Sequence, residues 1–297
     1  MDAPFDQCSV VFCDSGLGGL DIAADFIAAI KNGCLYRRVN VICFNAWLKP
    51  GFSFNQLPDF QARSAAMQQV LKGISTLAPD AVFFACNTLS VIKTLSAPEK
   101  YPFPIYDTIT PTVKLLQKKL EETPDSEVIL LGTLSTVEGN VYAEKLRCAG
   151  IAPDRIHACP CPGLATQIEY APDGADVRLM LSRYAGYCRK AVSSPRGKVF
   201  IALCCTHFGY SSLWQEIFGN VFSDMEIVNP NRILLKRELP DWCDNSCPAP
   251  QINAGVLTRV AISEAKRLAI GAAIHSRSAE LYQALQHYKR DNQLFDF

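Results

Sequence analysis

Short apolar runs that stop abruptly at small polar residues constrain this chain more than any other feature. Ala81-Val82-Phe83-Phe84 leads into Ala85-Cys86-Asn87-Thr88, and Val199-Phe200-Ile201-Ala202-Leu203 into Cys204-Cys205-Thr206-His207. A run this short and apolar throughout fits a parallel strand buried on both faces. Longer amphipathic stretches separate such runs along the whole chain. Strands alternating with helices predict an α/β fold whose parallel sheets are covered on both faces. Open sheets of this kind bind ligands beyond the carboxyl ends of their strands, which is where Cys86 and Cys205 stand.

The two cysteines lie 119 positions apart, and the same offset carries Val10-Val11-Phe12-Cys13-Asp14-Ser15-Gly16 onto Ile129-Leu130-Leu131-Gly132-Thr133-Leu134-Ser135. Two strand ends recurring at one spacing predict two pseudo-symmetric, doubly wound half-domains, each presenting a thiol to a shared cleft. Residues 1–107 and 222–297 are expected to form a first, discontinuous α/β domain that includes the C-terminal helix. Residues 108–221 are expected to form the second. Within them, 137–150 reads as one helix and 259–278 as another. Pro98, Pro102 and Pro104 mark a connection, Ser193-Ser194-Pro195 a turn, 240–250 an irregular stretch, and a polar tail closes the chain.

Length and charge exclude several function classes. A chain of 297 residues suggests about two domains. Its 29 basic side chains equal its 29 acidic ones, so no bulk field recruits nucleic acid or an anionic membrane surface. No stretch approaches the ~20 apolar residues of a membrane span. The start, Met1-Asp2-Ala3-Pro4-Phe5-Asp6, is acidic and lacks a signal-peptide pattern. Thirteen cysteines without such a signal read as reduced thiols in a cytoplasm. Cys159-Pro160-Cys161 and the Cys243/Cys247 pair lack zinc-site spacing, so no metal is expected.

The turn Asp14-Ser15-Gly16-Leu17-Gly18-Gly19 is neither a dinucleotide fingerprint nor a P-loop, because its glycines fall too close together and no Gly-Lys-Ser/Thr follows. Its glycines are expected to let backbone amides approach a small anion such as a carboxylate. The aromatic loop 45–55 reads as a lid or pocket wall, or as a packed surface loop.

Two facing thiols suit one reaction class: removing a proton from carbon on one face and returning one on the other. A thiol works as acid or base near neutral pH, and reversible racemisation needs both roles. Asn87, Thr88, Thr206, Ser15 and the turn amides are suited to holding carboxylate and developing enolate charge. Asp14 and His207 are placed to tune the cysteines.

Asp14-Ser15-Gly16-x-Gly18-Gly19, Ala85-Cys86-Asn87-Thr88-x-Ser90 and Cys205-Thr206-His207, in this order, resemble the aspartate/glutamate racemase family, on its glutamate racemase side. The resemblance runs from Val10 to about Leu235. It is supported by Gly132-Thr133-Leu134-Ser135-Thr136 with Tyr142, and by Cys159-Pro160 ahead of Ile168-Glu169. It implies two α/β domains with the active site between them, a cofactor-independent two-base mechanism and an amino-acid substrate, glutamate or a relative such as aspartate. By position, Cys86 and Cys205 would be the acid/base thiols, assisted by Asp14, His207 and Glu169. Ser15, Asn87, Thr88 and Thr206 would hold the substrate, with Pro50 and Gly51 in the loop that reads it. That loop departs from the family: Pro-Tyr-Gly is here Pro50-Gly51-Phe52, which removes a hydroxyl, and Phe208-Gly209 stands where the family has an aromatic and then proline. Three other readings are a one-cysteine isomerase or decarboxylase of the same superfamily, a non-catalytic amino-acid-binding protein, and a Cys205/His207 hydrolase that leaves Cys86 unused. A small-molecule substrate is the expected partner, with neither nucleic acid nor membrane. A homodimer is compatible with the sequence and not fixed by it.

Overall fold

The computed structural model describes residues 5–97, 100–192, 195–238 and 242–297. The acidic N-terminal tip, Pro98, Ser193-Ser194 and Pro240-Asp241 lie outside them. In chain order the first half runs β1 (Phe5–Asp14), α1 (Gly19–Ile30), β2 (Tyr36–Asn45), α2 (Phe60–Ser75), β3 (Ala81–Phe84), α3 (Asn87–Leu95) and β4 (Ile105–Asp107). Next come α4 (Ile109–Glu122), β5 (Glu127–Gly132), α5 (Leu134–Glu138), α6 (Val141–Cys148), β6 (Ile156–Pro160), α7 (Leu164–Tyr170), α8 (Ala175–Ala191), β7 (Val199–Cys204), α9 (Trp214–Gly219) and β8 (Met225–Val228). The chain ends with α10 (Asn231–Glu238), β9 (Gln251–Thr258), α11 (Glu264–His275), α12 (Ala279–Gln286) and β10 (Lys289–Arg290).

These strands form two all-parallel sheets, ordered β10-β9-β2-β1-β3-β4 and β6-β5-β7-β8. The order β2-β1-β3-β4 is repeated by β6-β5-β7-β8, with β1 matching β5 and β3 matching β7. The 119-residue sequence repeat is thus a repeat of sheet topology, and the fold is the expected pair of pseudo-symmetric α/β units. β3, β5 and β7 are buried at every residue, as continuous apolar runs require.

Strand alternation sorts the core. Val10, Phe12 and Phe83 pack on the α1, α11 and α12 side of the first sheet, while Val11, Cys13, Val82 and Phe84 pack on the α2 and α3 side. The rings of Phe12 and Phe83 stack at 4.9 Å, and burying each contributes roughly 1.5–3 kcal/mol. In the second sheet Leu203 and Cys205 share the α7–α9 side, and Cys204 lies on the other with Ala202 and Phe200. Of these adjacent thiols, only Cys205 is therefore delivered to the cleft.

Four expectations need correction. β8 pairs with β7, so Met225–Val228 falls on the second-sheet side of the boundary drawn at 222, as the counterpart of β4. The stretch 137–150 is two helices, because the chain turns left-handed at Asn140, φ +53°, which asparagine tolerates. Within 259–278, helix α11 starts only at Glu264, where the Ser263 hydroxyl accepts from the Lys266 amide; 259–263 is a loop beyond β9. Strand β9 itself, unannounced by its Asn-Ala-Gly interior, pairs with β2 along its whole length. The supposed polar tail forms α12 and β10 and buries Phe295. None of the described helices is long and apolar enough to cross a membrane.

Candidate active site

A cavity of about 370 Å³ opens where the carboxyl ends of β1 and β3 face those of β5 and β7. It is lined by every residue singled out from sequence: Asp14, Ser15, Pro50, Gly51, Cys86, Asn87, Thr88, Glu169, Cys205, Thr206 and His207. The first sheet supplies Cys86 and the second Cys205, so both thiols border one space.

On the first side, Cys86 ends β3 and caps α3, its sulfur accepting from the Leu89 amide at 3.5 Å. The Ser15 hydroxyl lies 3.2 Å from the same sulfur. Burial, and then the neighbouring Asp14 carboxylate, push the Cys86 thiol up to about 12, against the pull of the Ser15 contact. Asp14 accepts from the Gly16 amide at 2.6 Å and from the Thr206 hydroxyl at 2.8 Å. Burial raises its pKa; His207 and these two donors oppose the rise.

On the second side, Cys205 heads a row of charges. Its sulfur is 3.8 Å from His207 Nδ1, and His207 Nε2 is 2.8 Å from Glu169 Oε1. Lys266 Nζ donates to Glu169 Oε2 at 2.6 Å, with its ammonium over the rings of Trp47 and Tyr170. Burial works to lower the His207 pKa, but hydrogen bonds to Cys205 and Glu169 carry it well above the ordinary value. Burial works to raise that of Glu169, yet His207 and Lys266 bring it below normal. The row therefore favours imidazolium beside Cys205 and carboxylate behind it.

The glycine turn does hold a carboxylate, but the carboxylate belongs to the chain. The Leu17 amide donates to Glu169 Oε1 at 3.0 Å. A Cβ on Gly16 would lie 2.7 Å from the His207 ring, and one on Gly18 would overlap Thr206 and His207. These glycines make room for the Thr206-His207 segment that follows β7.

Asn87 is more brace than open donor. With its amide oriented to satisfy both ends, Nδ2 donates to Thr108 and to the Tyr142 hydroxyl, and Oδ1 accepts from the Cys205 and Thr206 amides at 3.3 Å. It ties the loop of one cysteine to that of the other. Thr88 reaches across the same seam to Thr133 at 2.9 Å.

Sequence reasoning missed Lys266, which lies in a stretch that reads as plain helix and carries no motif. It left the 45–55 loop undecided; Trp47, Phe52, Ser53 and Asn55 make it a pocket wall. The described residues contain no group of three or more His, Cys, Asp or Glu arranged to hold a metal ion.

No family model matches the chain. It is similar to curated glutamate racemases: 24% identical over 234 residues to that of Aquifex aeolicus, covering 78% of this chain and 82% of the relative. To that of Mycobacterium ulcerans it is 24% identical over 208 residues, 70% of each. A solved glutamate racemase from Francisella tularensis, in complex with D-glutamate, superposes with a TM-score of 0.66 at 21% identity, covering 96% of this chain and 97% of the other. In sequence the chain is thus similar to the glutamate racemases of the aspartate/glutamate racemase family, and it shares their fold, the likeness meeting on two cysteine strand ends.

Proposed function

We propose that the chain is a cofactor-independent amino-acid racemase, interconverting the L and D forms of glutamate or a related amino acid such as aspartate. The observation that carries this reading is that Cys86 and Cys205 reach one cavity from two domains. In one direction the Cys205 thiolate, facing imidazolium His207, removes the Cα proton, and the protonated Cys86 returns one to the opposite face. The reverse direction exchanges the roles. Ser15 and Asp14 hold Cys86; Glu169 holds His207. Ser15, Thr88 and Thr206 are the hydroxyls available to the substrate head group, with Asn87 keeping the two cysteine loops in register. The Pro50-Gly51-Phe52 loop and Lys266 also line the pocket and are available to read a substrate side chain. The reduced thiols this chemistry needs are those of a cytoplasmic compartment.

The Cys205–His207–Glu169 row also suits a thiol hydrolase, a reading that leaves Cys86 idle. One experiment separates them. D- and L-glutamate and aspartate are incubated with the protein in D₂O, and Cα deuterium and enantiomer ratio are followed by NMR and chiral chromatography. Racemisation with solvent deuterium entering the product is expected. Absence of exchange with every substrate, alongside a burst of thioester formation from activated esters, would replace the racemase reading.

A further inference from the structure

A second cluster of thiols lies outside the catalytic cleft. β6 is an edge strand, and near its end Cys159 is half-buried, while Cys161 and, on α8, Cys188 are sealed in the second core. Cys159 and Cys188 line a common cavity of about 380 Å³, walled by Pro160, Pro162, Tyr184 and Tyr187. It shares no lining residue with the catalytic cavity. The Cys161 thiol also donates to the Cys159 backbone carbonyl at 3.6 Å.

We propose that Cys159 is a nucleophilic thiol that takes hydroperoxides entering this apolar cavity, and that Cys188 resolves the product into a Cys159–Cys188 disulfide. The Cys159 thiol donates to the Pro160 carbonyl at 3.9 Å; as a thiolate it faces the Cys161 and Cys188 thiols instead, an interaction that lowers its pKa and raises theirs. One thiolate backed by two thiols, partly exposed beside sealed partners, is the setting in which a cysteine oxidises selectively. In the first step the Cys159 thiolate attacks the peroxide oxygen. The O–O bond breaks, alkoxide or hydroxide leaves, and sulfur is oxidised to sulfenic acid. In the second, the Cys188 sulfur attacks Cys159 and expels hydroxide, which leaves as water with the Cys188 proton. Cys161 is a poorer resolving partner, because Pro160 fixes the backbone between it and Cys159.

The whole protein is treated with a small excess of hydrogen peroxide, alkylated, and digested with trypsin. Cys159 then lies in the peptide 156–178 and Cys188 in 184–189. The expected product joins these two peptides, is lighter than their sum by two hydrogens, and is lost on reduction. Cys159→Ser removes it. Cys188→Ala removes it but leaves a sulfenic acid at Cys159 that dimedone traps. Cys188→Thr gives the same trapped adduct if Cys188→Ala does not fold. A peroxide-treated protein whose exposed Cys148 is oxidised before Cys159 overturns the proposal, as does a bridge confined to Cys159 and Cys161. Because Cys86 and Cys205 fall in other peptides, the result is read independently of the racemase assignment.

Discussion

The two cysteine strand ends offer the same side chain in opposite electrostatic settings. Around Cys86 the neighbours are a hydroxyl and a buried carboxylate, and the thiol is held protonated. Around Cys205 the neighbour is an imidazole whose charge is secured by Glu169 and, behind it, Lys266. The duplicated scaffold places two equivalent thiols and gives them different neighbours: a carboxylate beside Cys86 and an imidazole beside Cys205. The difference is made where the repeat diverges: position 88, the counterpart of His207, is a threonine.

Removing either thiol breaks the comparison most severely. Cys86→Ser and Cys205→Ser should each cost racemisation on the order of 10²–10⁴-fold, measured by circular dichroism of the amino acid. Each variant should retain elimination of a β leaving group from one enantiomer only, and the two should prefer opposite enantiomers. His207→Asn should sharpen the asymmetry. Loss of a charge-assisted hydrogen bond is worth roughly 1.5–3 kcal/mol, or about ten- to a hundredfold. That loss should appear in proton abstraction by Cys205, and iodoacetamide should alkylate Cys205 more slowly while Cys86 is unaffected. Equal slowing of both half-reactions would erase the distinction drawn above.

Lys266→Met should act one step further back and more weakly, by about three- to tenfold, in line with a single ion pair at a partly buried site. Without Lys266 the Glu169 pKa rises, so the acid limb of the kcat profile should move to higher pH. The His207 row also has a stability signature. His207 binds its proton more tightly folded than unfolded. Its contribution is therefore complete below the unfolded value, near 6.5, and is lost as pH rises through the higher folded value. Melting temperature should decline above neutrality in the parent, and the decline should be shallower in His207→Asn. The smallest effect on activity belongs to the loop 50–52 in the pocket wall. Gly51 sits at φ +69° with open space where a side chain would stand, so Gly51→Ala should cost only the ~1–2 kcal/mol of a left-handed alanine, with a change in glutamate-over-aspartate preference as the readout of its contact with substrate.

Much of this was legible because apolar runs and motifs are local. β1, β3, β5 and β7, and the residues at their ends, follow from strings of four to six side chains. What escaped depends on pairing at a distance. β9 is half polar and becomes a strand only because β2 offers its free edge. α7, which carries Glu169, is seven residues long and too short to show a period. Lys266 bears on the site only because the loop 259–263 turns α11 toward Glu169. The glycine turn carried a correct chemical hint whose partner no local pattern reveals: an anion was expected, and it comes from 152 residues downstream.

That internal anion couples access to readiness. Leu17 with Glu169, Asp14 with Thr206, and Asn87 with the Cys205 loop all span the seam between the sheets. On the proposed mechanism, parting the sheets to admit or release an amino acid would break some of these bonds, which hold Glu169 and Asp14 beside the two thiols. An open cleft is then a disarmed one. On that reading the charged row beside Cys205 is complete only while the seam is closed.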